Sequence, residues 1–318
     1  LSGELYDSDL VKTLYATDAS VYRELPYAVA IPKTTTDIKR LIEFANSNAL
    51  SIIPRAAGTS LAGQCVGDGI VVDVSKYLND ILEINTQEQW VRVQPGVVRD
   101  HLNTFLKPYG FFFGPNTSTA NRCTMGGMVG NNSCGSTSIE YGSTRDHTLA
   151  IKALLSDGSE VTFSALSKEE FKSKTKGDTL EASLYKQLFS ELDNPLIRDQ
   201  IEAGYPKATI SRRNTGYAVD ALMHSSPFNA SGEAFNFSKL VCGSEGTLAF
   251  ITELKLQIVP LPKPFQVVLN AHFNSINESL QATLVAMKQA PSACELMDKT
   301  ILDCTKDNST QQKNRFFV

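Results

Sequence analysis

The stretch PRAAGTSLAGQ, residues 54–64, decides how this chain is read. It holds two glycines, three alanines and two hydroxyl side chains, and it runs on from LSIIP (50–54) toward GIVVDV (69–74). Both flanks are β-branched runs of the kind that form buried strands. So bare a loop lets backbone N–H groups converge on one point, and such a concavity binds anions, phosphate above all. A tight turn between two strands is the alternative. The pattern matches neither G-x-x-x-x-G-K-[ST] nor G-x-G-x-x-G, so neither of those phosphate-binding fingerprints applies. Arg55 either anchors the loop or faces the anion.

Working outward, TDIKRLIEFAN (36–46) places Ile38, Leu41, Ile42 and Ala45 on one face of a predicted helix, with Thr36 as N-cap and Asp37 suited to the positive helix end. With the strands on either side of the loop, this makes a small α/β unit. From Ile81 the pattern changes, because ILEIN (81–85) and WVRVQPGV (90–97) alternate as half-solvated strands do. VRDHLNTFLKPYG (98–110) adds an amphipathic helix ended by Pro108 and Gly110, so a second, more antiparallel subdomain begins there. HTLAIKALLSDGSEVTF (147–163) reads as a hairpin turning at SDGS, residues 167–202 as helical, and TLAFITELKLQIV (247–259) as a strand. PLPKP (260–264) marks a boundary. Beyond it FQVVLNAHF (265–273), SINESLQATLVAMKQA (275–290) and SACELMD (292–298) predict the β-α-β beginning of another domain. The chain opens at Leu1 and closes on KNRFFV (313–318), which reads as the start of a strand, so a fragment of a longer protein is expected.

The 318 residues are 42 % hydrophobic and 20 % charged, enough for a large core in two or more domains. Lys and Arg number 30 against 34 Asp and Glu, a net charge of −4 with no basic cluster, which argues against nucleic acid as a partner. No apolar run approaches the roughly 20 residues of a transmembrane span, and no signal peptide is recognisable, so the cytoplasm is the expected compartment. The cysteines Cys65, Cys123, Cys134, Cys242, Cys294 and Cys304 form no C-x-x-C pair, and no histidine stands at metal spacing. Reduced, mostly buried thiols are expected rather than a metal site or a disulfide framework.

A second bare stretch, GPNTSTANRCTMGGMVGNNSCGSTSIEYGSTRDH (114–147), carries six glycines among small polar residues. Two such segments suit a large, polar, extended ligand. A flexible linker is the alternative, against which Met125, Met128 and Val129 suggest a packed segment. A third, CGSEGT (242–247), again exposes backbone at a turn.

PRAAGTSLAGQ, GPNTSTANRCTMGGMVGNNSCG (114–135), YGSTRDHTLAIKALLSDG (141–158) and GSEGTLAFITE (243–253), in this order, resemble the FAD-binding domain of the vanillyl-alcohol oxidase and p-cresol methylhydroxylase (PCMH) superfamily. Within it they are most similar to the branch of D-lactate dehydrogenase, D-2-hydroxyglutarate dehydrogenase and the glycolate oxidase flavin subunit, over roughly residues 20–260. The resemblance implies an α+β fold: a PCMH-type FAD-binding domain over 1–262, in two α/β subdomains of about 1–80 and 81–262, then the start of a ferredoxin-like substrate or cap domain over 263–318.

It implies further that Pro54, Arg55, Ala56, Ala57, Gly58, Thr59, Ser60, Leu61 and Ala62 wrap the FAD pyrophosphate with backbone amides. Pro115, Thr119, Thr124, Gly126, Gly127, Asn131, Asn132, Ser133 and Cys134 would line the ribityl and isoalloxazine region, and Glu245, Gly246 and the backbone of Ile251 the adenosine half. Some relatives attach FAD covalently through a histidine in the first loop. Thr59 aligns at that position, so the FAD is expected to be non-covalent. RRNTGYAVDAL (212–222) resembles the family segment ahead of the last motif, where Arg212, Arg213 or Asn214 either meets an anionic substrate or serves an ion pair or turn.

The implied activity is oxidation of a 2-hydroxy acid by hydride transfer to FAD, with electrons passed to a non-NAD acceptor. An alcohol or sugar oxidase of the same fold and a non-catalytic flavin-binding module are the alternatives. His101, His147, His224 and His272 sit in no motif the family marks as catalytic, so no catalytic residue and no metal ligand is assigned. ATDASVY (16–22) and LKPYGFFFGPNTST (106–119) also resemble a subgroup of long proteins with an appended iron–sulfur domain, whose cluster ligands would lie outside these residues.

Overall fold

The computed structural model describes residues 1–207, 209–210, 212–214 and 216–316. Two sheets organise it. The first is four-stranded, built from β1 (Glu4–Tyr6), β2 (Ala28–Ile31), β3 (Ile52–Arg55) and β4 (Ile70–Asp73) in the order β1-β2-β4-β3. β2, β4 and β3 run parallel, and β1 adds antiparallel to β2. β2 and β4 are buried along their whole length, as continuous apolar strands of a parallel sheet are.

A short helix α1 (Asp9–Tyr15) follows β1, and α2 (Thr35–Ser47) links β2 to β3. α2 buries Ile38, Leu41, Ile42 and Ala45 on the predicted face, against Ala30, Ile70 and Val72. Its N-cap is Thr34 rather than Thr36: Thr34 has the extended backbone a cap requires, and its hydroxyl accepts from the Asp37 N–H at 3.1 Å. Asp37 is buried and ties β1 to the helix, accepting from Ser2 N at 2.7 Å, Ser2 Oγ at 2.6 Å, Lys33 N at 3.0 Å and Gly3 N at 3.2 Å.

The second sheet is antiparallel throughout. It comprises β5 (Ile81–Asn85), β6 (Trp90–Val93), β8 (Thr148–Leu154), β9 (Glu160–Leu166), β10 (Phe235–Asn236) and β11 (Phe250–Gln257), in the order β10-β9-β8-β11-β6-β5. β11 lies between the two hairpins and alternates buried and half-buried residues. The hairpin turning at 156–159 forms as predicted, and β7 (Phe111–Phe112) pairs separately with β12 (Val259–Pro260). α3 (Arg99–Leu106) ends through a 3-10 turn over Lys107–Tyr109 at Gly110, and α4 (Met125–Gly130) buries Met125, Met128 and Val129. Helices Lys168–Lys174, Leu180–Leu192 and Pro195–Gly204 occupy the predicted helical stretch.

Each sheet has its own core, and Leu154 and Phe250 of β8 and β11 belong to the smaller one, which ties the two together. Of the cysteines, all free, Cys65, Cys123 and Cys242 are buried. Among the described residues no helix is long and apolar enough to cross a membrane.

Beyond β12 the predicted β-α-β pattern is corrected. Ile276–Ala286 is helical, but 265–273 and 292–298 form no strand. A strand exists through hydrogen bonds to a neighbour, and 265–273 runs along none of the described strands; Phe265, Val267, Val268 and Leu269 stand between 86 % and 94 % exposed. Lys313–Arg315 is a 3-10 turn rather than the start of a strand, and Phe317 and Val318 lie outside the described residues.

Candidate functional site

Parallel strands β3 and β4 need a crossover, usually a helix. Here residues 56–69 make it with no helix at all, so bare backbone stands at the carboxyl end of β3, where open α/β sheets bind ligands. The tight-turn alternative is thereby excluded.

The other bare segments come to this loop. A Cβ placed on Gly127, in α4, would lie 2.9 Å from the Ala56 Cβ and 3.8 Å from the Thr124 hydroxyl oxygen. One placed on Gly246 would lie 3.1 Å from Pro54 Cγ. Gln64 Nε2 donates to Glu245 Oε1 at 3.1 Å, while Gly243 N and Glu245 N donate to Val129 O and Gly130 O at 2.9 Å each. Residues 54–64, 124–134 and 243–247, far apart in sequence, therefore form one cradle walled by glycine. Within these segments the Thr124 hydroxyl, the Ser244 hydroxyl and Gln64 Oε1 are buried with no partner in the protein. Such orphaned groups call for a polar ligand.

The expected residues divide by what their side chains do. Arg55 turns to the protein: Nη2 donates to Thr17 O at 2.9 Å and Nη1 to Tyr15 O at 3.3 Å. Asn132, buried at φ +48°, accepts from Arg145 N at 2.8 Å and donates to Asn214 Oδ1 at 3.1 Å. Cys134 receives Arg212 Nε at 3.1 Å and Asn214 Nδ2 at 3.4 Å, and Arg213 pairs with buried Asp220. Asn131 donates to Ser133 Oγ, and Ser133 O receives the Thr144 amide and hydroxyl. Pro115 O accepts from Arg99 Nε, and Thr119 O from the amides of Arg122 and Cys123. Gly126 packs on Pro95. Thr59, Ser60, Leu61 and Ala62 lie along the crossover, Leu61 being 81 % exposed. Ile251 sits on β11 opposite Ala153, at a bulge in the ladder to β8.

Ser244 and Gln64 escaped the residue-level selection although both stood in quoted motifs; only their burial marks them. The histidines supply no catalytic cluster. His147 is buried between Tyr141 O (2.7 Å) and Gln257 O (3.2 Å) against Phe113, and His224 faces Glu202 at 3.0 Å. His101 and His272 are exposed. Burial pushes the Cys242 thiol up to about 12, and it pushes the Cys65 thiol up, where the nearby Asp18 carboxylate adds to it.

Residues 26–164 match the FAD binding domain family. Over that stretch the chain is similar to FAD-binding domains. It is 37 % identical over 296 residues to a D-2-hydroxyglutarate dehydrogenase of Pantoea ananatis, covering 92 % of this chain and 28 % of that protein. It is 36 % identical to the Escherichia coli D-2-hydroxyglutarate dehydrogenase, over 96 % of this chain and 30 % of that one. The glycolate oxidase subunit GlcD of Bacillus subtilis is 26 % identical, with 95 % and 52 % covered. The chain thus spans under a third of the two D-2-hydroxyglutarate dehydrogenases. A solved alkyldihydroxyacetonephosphate synthase superposes with a TM-score of 0.54 at 17 % identity, over 81 % of this chain and 38 % of the other, which shows the shared fold. The region so matched contains the bare crossover and α4, while Ser244, Glu245 and Gly246 reach the same place from beyond it.

Proposed function

We propose that this chain holds FAD for the oxidation of a 2-hydroxy acid, of the class of D-lactate, glycolate or D-2-hydroxyglutarate, with electrons passing to an acceptor other than NAD. The observation that carries the reading is the convergence of three bare segments around unpartnered Thr124, Ser244 and Gln64 atoms. An extended dinucleotide fits such a cradle, since its diphosphate takes N–H and O–H donors and its ribose hydroxyls take an acceptor. The names of the relatives support the substrate class.

When bound, FAD would supply the redox chemistry, the uptake of a hydride from the carbon that bears the hydroxyl. The chain's own part is to bind and orient. Residues Ala56 to Ala62 would wrap the diphosphate with backbone amides, with Pro54 closing the end of β3. Thr124, Gly126, Gly127, Asn131, Ser133 and Cys134, with Pro115 and Thr119, flank the flavin half, and Asn132 shapes that wall from within. Glu245, Gly246 and the backbone of Ile251 flank the adenosine half. Thr59 offers no nitrogen nucleophile, so the cofactor dissociates. Residues 1–262 act as the FAD-binding unit, 263–318 begin a substrate-covering one, and the protein works in the cytoplasm on a small molecule.

Two experiments test this. The purified chain, incubated with FAD and desalted, is expected to keep two visible flavin bands; a folded chain that keeps none overturns the cofactor assignment. In the intact protein, anaerobic addition of D-2-hydroxyglutarate, D-lactate or glycolate is expected to bleach those bands, and a flavin that no 2-hydroxy acid bleaches overturns the substrate class.

A further inference from the structure

The bare crossover is also held by residues 15–24, which precede the family-matched region. This segment closes on itself: Thr17 bridges Arg23, Glu24 N donates to Ala16 O at 3.0 Å, and Ser20 N donates to Asp18 Oδ1 at 2.8 Å. It then meets the crossover at successive points. The Arg55 guanidinium lies over the Tyr15 ring at 5.1 Å and donates to the carbonyls of Tyr15 and Thr17. Ala19 N donates to Gly58 O at 3.1 Å. The Tyr22 ring covers Gly63, where a Cβ would come within 2.8 Å of it. Cys65 Sγ donates to Asp18 Oδ2 at 3.7 Å. Tyr15 in turn donates its hydroxyl to Asp73 Oδ2 at 2.7 Å, and Asp73 is the register partner of Arg55 across β3 and β4.

We infer that residues 15–24 are a clasp that presets the cofactor loop, with Arg55 as a positioning residue rather than a phosphate ligand. The inference rests on the FAD reading above. Both terminal nitrogens of Arg55 are engaged by carbonyls of the clasp, and its Nη2 lies 2.6 Å from where a Gly58 Cβ would stand. The guanidinium therefore ties the loop to the clasp and leaves the amides of Ala56 to Leu61 for the ligand, while Ala62 N donates to Ser60 Oγ at 3.3 Å. A loop so tied loses little conformational freedom on binding, which raises affinity without a direct contact. Tyr22 is 59 % exposed, so its removal takes nothing from either core.

The test compares the unaltered chain with Arg55→Lys and Tyr22→Ala, titrating FAD by flavin fluorescence at several ionic strengths and following amide exchange without FAD. Lysine keeps the charge but not the fork that grips two carbonyls. Both variants are expected to bind FAD about tenfold more weakly, with the unaltered dependence on salt and unchanged thermal midpoints. Amides of 56–65 should exchange faster while those of α2 do not. Unchanged affinity and exchange in both variants overturn the clasp. A third variant, Arg55→Gln, removes the charge; a flattened salt dependence of its FAD binding overturns the positioning role, because it means that the guanidinium met the diphosphate. If the folded, unaltered chain binds no FAD, the cofactor reading itself falls, a failure visible before any variant is compared.

Discussion

Gly58 stands at φ +62°, with its missing side chain replaced by the Arg55 guanidinium. Valine there meets two obstacles at once, a backbone region that β-branched residues avoid and an occupied space. Gly58→Val is expected to abolish FAD binding in titration. Gly177→Ala, also at positive φ but with nothing within 4 Å, should cost some stability and leave FAD affinity unchanged. Tyr185 carries a different signal. It is fully buried among Phe171, Phe235 and Phe237, and its hydroxyl has no partner. Tyr185→Phe is expected to raise the unfolding free energy by about 1 kcal/mol in urea, since an unsatisfied polar group is removed from an apolar site; a loss would show that the hydroxyl is satisfied. At this scale the sequence reveals types and hides directions. Arg55 was legible as either anchor or ligand, and only the carbonyls of Tyr15 and Thr17, some forty positions away, turn it to the anchor.

Among the elements, α2 shows how a carboxylate joins a helix start to a strand. Burial works against the charge on Asp37, yet the hydrogen bonds from Ser2, Lys33 and Gly3 outweigh it and hold its carboxyl at about 2. A carboxyl lowered on folding stabilises the native state above its unfolded value and loses that contribution as the pH falls through the folded one. Asp37→Asn should therefore cost on the order of 2 kcal/mol at neutral pH, and the difference from the unaltered chain should shrink between about pH 4 and pH 2. A difference independent of pH would mean that the carboxylate charge contributes nothing. The helix face was readable from apolar spacing, whereas among three consecutive threonines the expected cap, Thr36, was the wrong one, and backbone geometry chose Thr34. The hairpin of β8 and β9 was readable because both strands and their turn are local. The apolar run at 265–273 was not, because such a run shows only that a strand is possible, and none of the described strands pairs with it.

Over the whole molecule, the order of the sheets could not be read from local pattern. β11 enters between β6 and β8 from nearly a hundred residues downstream of β8, and this insertion brings Ser244 and Glu245 to the loop after β3. What was legible was that three bare segments recur in a chain with 42 % hydrophobic residues. With Thr59 in the first loop, acid precipitation of the FAD-loaded chain is expected to leave all the flavin in the supernatant; yellow colour retained in the washed pellet would demonstrate a covalent bond. The missing crossover helix has one more effect. In most parallel pairs a helix secures the connection by its own packing, but here β3 and β4 are joined by a segment without one, which on the function proposed above closes on FAD. Mass action then enters the folding equilibrium: at a free ligand concentration a hundred times the dissociation constant, the native state gains about 2.7 kcal/mol. The resistance of this protein to heat and proteases would follow the concentration of free FAD around it.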